Sequence, residues 1–571
     1  MSILLGDQAV SLSKELVKSY QNMGLIHLLV VSGSQISLVS GVIWTCLRLV
    51  LWNQWLLLMV MGSVHFLMAT MTGYGVSICR SILMWELVCC FSLFQRSVSM
   101  WHIVSAVWGV MVCINPMIVW DLGAQLSFLI TISMIYGVPY ISSTWLSSLP
   151  QWLAQLLSAV IAPSLVTIPL ICIYFNRLNL LSIFGNLAVV PILETVVVLG
   201  FWGVIISQMV PTLGLLFHFI SGQALKGVTS FVALESHLSG LIINIPQRVI
   251  VWWVIIFGLC VIGAIGFRSF RQSGKRWGVF SVACVGTALL WVWPSRYLTV
   301  TFLDVGQGDS AIIQLPNRQT VLIDAGPVIK DFRTGEPILD FGERIVEPAL
   351  RSMGVNHLAA VIVSHYDNDH IGGIPYILSK FRIGLVIDHG YQRKLAGEYQ
   401  DIIYSQNLRA QSVQKLSHLD FYSRVGFQFL HPRNSHLAVS ENNRSVVLKI
   451  YFKDRSFLFT GDIDETVELQ LLRNFGKALN SDILKVGHHG SKTSTSSLFL
   501  KWVDPLIAVC SVGRNNRYGH PHPMVVNRIK RMGISMFRTD RDGAVSIRSD
   551  GERLWIKTGQ TTRSSWTIFA K

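Results

Sequence analysis

Charge is scarce in the first half of this 571-residue chain. Residues 1–296 hold 13 of its 47 Lys and Arg and 6 of its 32 Asp and Glu, whereas soluble domains carry about 25% charged residues. That scarcity excludes an ordinary water-soluble domain and leaves lipid as the surrounding medium. Cysteine is scarce in the second half. Of nine, only Cys510 lies beyond residue 296, so no disulfide can close within that half. The chain has no C-x-x-C pair to suggest a zinc knuckle and no G-x-x-x-x-G-K-[ST] phosphate loop, so powered pulling of a cargo would need a separate ATPase. The first residues show no signal-peptide pattern; an amphipathic stretch with Lys14, Glu15 and Lys18 precedes the first long apolar run.

What is present is apolar and basic: 51% hydrophobic residues, a mean hydropathy of +0.48 and a net charge of +15. A basic balance suits polyanions and also anionic lipid. A spanning helix needs about 20 apolar residues. Candidate spans are Leu25–Leu51, Trp55–Thr72, Ile78–Phe94, His102–Ile114, Leu122–Ile141, Leu153–Tyr174, Leu181–Ile206, Leu213–Phe231, Val249–Ile265 and Val279–Trp293. Several are short, so seven to ten crossings are expected. Gly and Pro interrupt many, which fits broken helices around a passage, because irregular backbone survives at depth only where protein or water satisfies it. Between the last two, Arg268, Arg271, Lys275 and Arg276 occur with no acid. The positive-inside rule puts that loop in the cytoplasm, and one further crossing delivers residue 297 onward to the outer face. The first span carries His27, Ser32, Ser34 and Gln35; such groups line an interior path, or Ser and Gly permit close helix packing.

After Trp293-Pro294 the pattern changes. YLTVTFLDV and AIIQL read as strands joined by a Gly-Gln-Gly turn, then TVLIDAG, a helix at Ile345–Met353, and the buried strand LAAVIVS. GFQFLH, SVVLKIYF, RSFLFTGD and DPLIAVCSV follow as further strands. Strands alternating with helices imply two packed sheets with helices outside.

Ionisable residues cluster where those strands end. His365 and Asp367 can bind one metal, and Asp369 and His370 a second, with Gly372-Gly373 letting the chain turn tightly behind them. Asp462 ends RSFLFTGD and could bridge two metals. His488 and His489 offer another imidazole, and His520 and His522 stand in the stretch YGHPH. Asp304, Asp309 and Asp324 read chiefly as residues that orient turns.

DVGQGDS, SHYDNDHIGG, FTGD and KVGHHGSKTS resemble the metallo-β-lactamase domain of the ComEC family of competence proteins. In the apolar half, GLIHLLVVSGSQI resembles the family's GLxHLLAISGxHI, with Gln35 where the family usually has His. Asn115-Pro116 followed by GAQLSF resembles its NP…GFQLSF. The resemblance implies a polytopic α-helical membrane domain, residues 1–296, followed by an α/β metallo-β-lactamase domain of αββα sandwich form, residues 297–571. Asp367 replaces the second His of the superfamily's HxHxDH, a change the family shares, and Asn442-Asn443-Arg444-Ser445 occupies the region of the third motif. Harder oxygen ligands suit Mn²⁺ as well as Zn²⁺, one ion or two. Family members usually begin with further helices and an OB-type domain, which would precede a segment like that at Met1.

The implied function is a channel for DNA uptake in natural transformation. It would pass single-stranded DNA across the cytoplasmic membrane, with an outer metal-dependent domain that hydrolyses or processes DNA, a DNA receptor protein, and a cytoplasmic ATPase as partners. Asp369 would hold or deprotonate the nucleophile, and His520 would protonate the leaving oxygen. Ser491, Lys492 and His522 would meet substrate, and His27, Ser32, Gln35, Arg80 and Gln125 would line the path, with Arg48 and Arg177 as further contacts. Two alternatives stand: a membrane-anchored hydrolase of RNA or small esters, or a channel whose hydrolase domain is inactive.

Overall fold

The structure, a computed structural model, describes residues 19–20, 33–179, 181–235, 242–245, 295–391, 397–422, 424–433, 440–559 and 567–569. Two compact units emerge, Met1–Ile243 and Asn244–Lys571. The last two candidate spans and their basic loop lie outside the described residues, and so does the stretch leading to the boundary expected after residue 296.

The first unit is helical: α1 (Gly33–Val50), α2 (Gln54–Met71), α3 (Val76–Leu93), α4 (Met100–Ile114), α5 (Leu122–Ile132), α6 (Val138–Thr144), α7 (Gln151–Phe175), α8 (Leu181–Met209) and α9 (Pro211–Glu235). Six segments among the described residues are long and apolar enough to cross a membrane; α5 and α6 count as one, joined by a π-turn at Ser133–Gly137. At 15 residues α4 is roughly 22 Å long, short of the hydrocarbon core. Polar residues are buried in this unit and large apolar ones face outward. Ser40, His65, Arg80, Ser81, Ser127, Ser158 and Thr167 are buried, while Phe66, Leu67, Leu215 and Phe219 are exposed. Helix contacts are made by apolar clusters such as Ile103, Val107, Met111 and Phe128 and also by small and polar residues, which let helices approach closely. Pro163 and Pro169 lie within α7, where the Thr167 hydroxyl donates to the Pro163 carbonyl at 2.8 Å.

The second unit is built on two large sheets, with two further pairs of short strands beside them. The chain enters the first with β1 (Leu298–Phe302), β2 (Ala311–Gln314), β3 (Thr320–Ile323), β4 (Ala360–Ile362), β5 (Val386–Asp388) and β6 (Ala410–Ser412). It builds the second from β7 (His418–Tyr422), β8 (Val425–His431), β9 (Val447–Phe452), β10 (Arg455–Phe459), β11 (Ile483–Lys485), β12 (Ile507–Cys510) and β13 (Ser535–Arg538), then returns through β14 (Val545–Ser549), β15 (Leu554–Thr558) and β16 (Thr567–Phe569). The strand orders are β6-β5-β4-β3-β2-β1-β14-β15-β16 and β7-β8-β9-β10-β11-β12-β13.

Period-2 alternation explains the layering. Val300, Ile313, Val321 and Ile362 of one sheet meet Phe427, Ile450, Phe457 and Ile507 of the other. Their neighbours Ile312, Leu322 and Val361 face the helices Glu347–Ser352 and Ile374–Lys380. On the far side Leu458, Leu484 and Ala508 face Glu465–Phe475, Ser497–Val503 and Pro523–Arg531. The unit is an αββα sandwich. β3–β6 and β10–β13 run parallel, which gathers the carboxyl ends of β4, β10 and β11 on one edge. The helix expected at Ile345–Met353 opens as a π-turn, Gly342–Val346, and continues as Glu347–Ser352.

Candidate metal centre and membrane cavity

Each motif of the second unit leaves a strand at that edge. β4 runs through Val363 into His365, and Asp367 sits just before the short helix Asn368–Ile371. β10 leads into Gly461 and Asp462; β11 leads into Gly487, His488 and His489. His488 (φ 48°) and His489 (φ 50°) both adopt left-handed backbone, at roughly 1–2 kcal/mol per residue. The bend persists because it is held: His488 N–H donates to the Gly461 carbonyl at 3.1 Å, and the Ser494 hydroxyl to the Gly487 carbonyl at 2.7 Å. Such strain concentrates at functional sites.

Four groups converge. Ligand atoms of Asp369, His370, Asp462 and His489 all lie within 4.8 Å of one another. His489 Nε2 stands 3.3 Å from both Asp369 Oδ2 and Asp462 Oδ2, and His370 Nε2 stands 3.4 Å from Asp462 Oδ1. The opposite ring nitrogens are tied down. His370 Nδ1 pairs with Asp324 Oδ2 at 2.9 Å, and His489 Nδ1 with the Ser511 carbonyl at 2.9 Å. Fixing Nδ1 turns Nε2 to the centre, as outer partners do in metalloproteins. Beside them, His365 packs against His370, tilted by 51° at 4.1 Å between ring centroids, and its Nε2 lies 3.6 Å from Asp367 Oδ2. His488 is peripheral: its Nε2 lies 3.9 Å from Asp462 Oδ2 and 3.5 Å from Asn442 Nδ2.

The electrostatics are those of a charged cluster removed from water. Burial alone would lower the His489 pKa, but Asp462 and Asp309 outweigh it and push it up to about 10. His370 is likewise desolvated, yet Asp462, Asp309 and Asp324 hold it well above its ordinary range. Burial opposes ionisation of Asp462, but His489 and His370 keep its carboxyl far below the usual range. Asp369 is lowered too, against its burial, by His489 and His370. Two buried atoms facing the centre, His365 Nε2 and Asp462 Oδ1, have no hydrogen-bond partner, a costly arrangement unless a ligand fills it. Carboxylate and imidazole donors with open lone pairs around one point fit a divalent metal ion.

Three residues belong here that the sequence reading left out or placed elsewhere. Asp324 accepts from Ser364 N–H at 2.8 Å and orients His370; Asp309 lies 3.6 Å from His489 Nδ1. Both do more than shape turns. Lys485, buried at the end of β11, pairs with Asp309 and lies 3.7 Å from Asp462 Oδ1. Its signal was visible: a lone cation inside the apolar strand ILKV. Other expected contacts sit apart from the four. His522 accepts from Met524 N–H at 3.2 Å and caps the helix Pro523–Arg531. Ser491 is buried in its own turn against the Thr493 hydroxyl at 3.0 Å, and Lys492 is exposed. His520 lies one ring away, 5.9 Å from His488; burial, then His488 and His489, lower its pKa, leaving a neutral imidazole.

The helical unit encloses a separate cavity of about 1010 Å³, lined by Gln35, Arg48, Arg80, Ser127, Asn186 and Glu194 among others. Arg80 is buried; its Nε donates to Ser127 Oγ at 2.7 Å and its guanidinium lies 5.9 Å from the Phe128 ring. It forms no ion pair with a carboxylate among the described residues. Gly33 makes room for it: a Cβ there would collide with Ser81 Oγ and the Arg80 guanidinium. Gln125 is outside this lining and ties the Val119 carbonyl (2.8 Å) to the Tyr174 hydroxyl (3.3 Å). His27 and Ser32, and the side chain of Arg177, lie outside the described residues.

Comparison with known proteins matches both halves. Residues 3–270 match the competence protein family and residues 303–514 the metallo-β-lactamase superfamily. The chain is 28% identical over 548 residues to ComE operon protein 3 of Bacillus subtilis, covering 94% of this chain and 69% of that protein. It is 27% identical over 565 residues to competence protein ComA of Neisseria gonorrhoeae, covering 96% and 74%. Recombination protein 2 of Haemophilus influenzae is 32% identical over 267 residues, 47% of this chain and 31% of that protein. A competence segment and a metallo-β-lactamase segment in this order, over nearly the whole chain, place it in the ComEC family of multi-pass inner-membrane competence proteins, which serve DNA uptake in natural transformation.

Proposed function

We propose that the membrane half passes single-stranded DNA across the cytoplasmic membrane, while the half from residue 297 onward lies on the outer side and hydrolyses phosphodiester bonds. The observation that carries the enzymatic part is the meeting of Asp369, His370, Asp462 and His489 within 4.8 Å. These four would hold the first divalent ion, Zn²⁺ or Mn²⁺, and His365, Asp367 and Asp462 a second. A bound divalent ion would supply Lewis acidity and neutralise phosphate charge. The chain's own groups do the rest. Asp369 holds the attacking water and accepts its proton at a carboxylate oxygen. Lys485 and Asp309 fix Asp462 and His489 in place. His520 contacts the leaving oxygen through its neutral ring, and Lys492 is free to meet a flanking phosphate.

The cavity supports the transport part. A buried guanidinium with no carboxylate partner among the described residues is expensive in a membrane and suits a path for anions. Arg80, with Gln35 and Ser127, would contact successive phosphates. A DNA receptor delivers the strand and a cytoplasmic ATPase supplies the pull. The test is direct. The purified chain loaded with Mn²⁺ or Zn²⁺ should cut single-stranded DNA, and Asp369→Ala should abolish cutting. Uncut DNA with metal bound would favour a channel with an inactive second half; cleavage of esters or RNA alone would favour a membrane-anchored hydrolase.

A further inference from the structure

Beside the metal centre a surface groove of about 720 Å³ runs along Arg514, Asn515, Asn516, Gly519, His520 and Arg541. Its charge is one-sided. The acid within it, Asp540, is engaged by Arg538 through hydrogen bonds of 3.0 and 2.6 Å. Arg514, Arg517 and Arg541 are exposed and form no ion pair among the described residues; Arg514 Nε donates only to the Asp540 backbone carbonyl, at 3.2 Å. Asp304 also lies close enough to Arg514 to feel its charge. An aromatic series connects this patch to the metal ligands. The Arg517 guanidinium lies over the Tyr518 ring at 4.9 Å, and Tyr518 stacks on His520 at 5.9 Å. His520 meets His488 edge to face at 5.9 Å, and His488 reaches Asp462 at 3.9 Å. Tyr518 is 55% exposed, within reach of a planar ring that takes the place of the Arg517 guanidinium over it.

We propose that this groove is the docking track for single-stranded nucleic acid, with Arg514, Arg517 and Arg541 on successive phosphates and a base stacked on Tyr518, leading the strand to the metal centre. The inference rests on the phosphodiesterase reading of that centre and adds the surface that guides the strand to it. Cationic grooves with stacking aromatics suit single strands, because unpaired bases expose faces that a duplex hides. A duplex could meet the arginines but could not place a base on Tyr518 without unstacking it.

The test separates binding from cleavage. The full chain, in nanodiscs of zwitterionic lipid with EDTA present, is titrated with a fluorescent single-stranded oligonucleotide at several salt concentrations. The triple variant Arg514→Ala, Arg517→Ala, Arg541→Ala should weaken binding at least about tenfold and flatten the salt slope by about 2, three single-strand phosphates' worth. A single strand carrying 5-iodouracil should photo-crosslink to the peptide containing Tyr518. Unchanged affinity and slope in the triple variant, or crosslinks confined to other peptides, would overturn the proposal. Loss of binding to anionic vesicles with oligonucleotide binding intact would overturn it as well and assign the arginines to lipid. Failure of the hydrolase reading looks different: binding and crosslinking persist, while the metal-loaded chain leaves the strand whole.

Discussion

The two units bury polar groups for opposite ends. In the sandwich, buried carboxylates and imidazoles meet at one point, and the far side of each imidazole is fixed by a second partner, His370 by Asp324 and His489 by the Ser511 carbonyl. In the helical unit, buried polar groups are spread along a cavity, and Arg80 meets a hydroxyl and an aromatic ring, with no carboxylate partner among the described residues. Convergence makes a site that grips a small cation. Dispersion fits the proposed passage, in which an anion is held weakly at several places.

The comparison breaks most visibly at Asp462. Asp462→Asn should lower metal affinity by more than about 100-fold, beyond the roughly 10–100-fold typical of outer partners, and remove hydrolysis; metal content and oligonucleotide cleavage measure both. Asp324→Asn should cost about 10–100-fold in metal affinity while His370 remains present. The same pairing gives a pH signature. His489 titrates near 10 without metal, and His370 is also raised, so at neutral pH an incoming ion must expel protons. Affinity should therefore rise between pH 6 and 8, by about tenfold per pH unit for each proton displaced, and calorimetry in buffers of different ionisation enthalpy should detect the release. In the metal-free protein the sign is the reverse. The raised His489 stabilises the fold fully below an unfolded pKa of about 6.5, and that contribution is lost as pH rises through about 10.

On the other side of the comparison, Arg80→Leu should reduce DNA uptake at least about tenfold and leave metal affinity unchanged, as transformation frequency and metal content would record. Lys492→Ala should have the smallest effect, within about twofold on cleavage, because the side chain is exposed and apart from the four ligands.

Much of this was legible because the ligands come as neighbours in sequence. Asp369 and His370, or Gly461 and Asp462, follow strands whose apolar runs announce themselves, so a short motif carries both the residue and its platform. Asp324 and Asp309 were harder. Each is a single Asp beside a strand, and its partner, His370 or His489, lies far along the chain. At His522, which YGHPH offers as a substrate contact, the Pro after it marks a helix start, and the ring caps that helix. Strands β5, β6, β7, β11 and β13–β16 were not read at all. Several have three residues, too few for a period-2 pattern to stand out. In the membrane half, hydropathy located the helices, but which polar residues line the cavity depends on helix rotation. Hence Ser127 faces it and Gln125 does not.

Anomalous diffraction from crystals of the chain grown with Mn²⁺ or Zn²⁺, collected at the metal's absorption edge, tests the central claim most directly. A peak bounded by Asp369, His370, Asp462 and His489 is the expected result. No peak there, with the four side chains paired to one another in the presence of saturating metal, would contradict it.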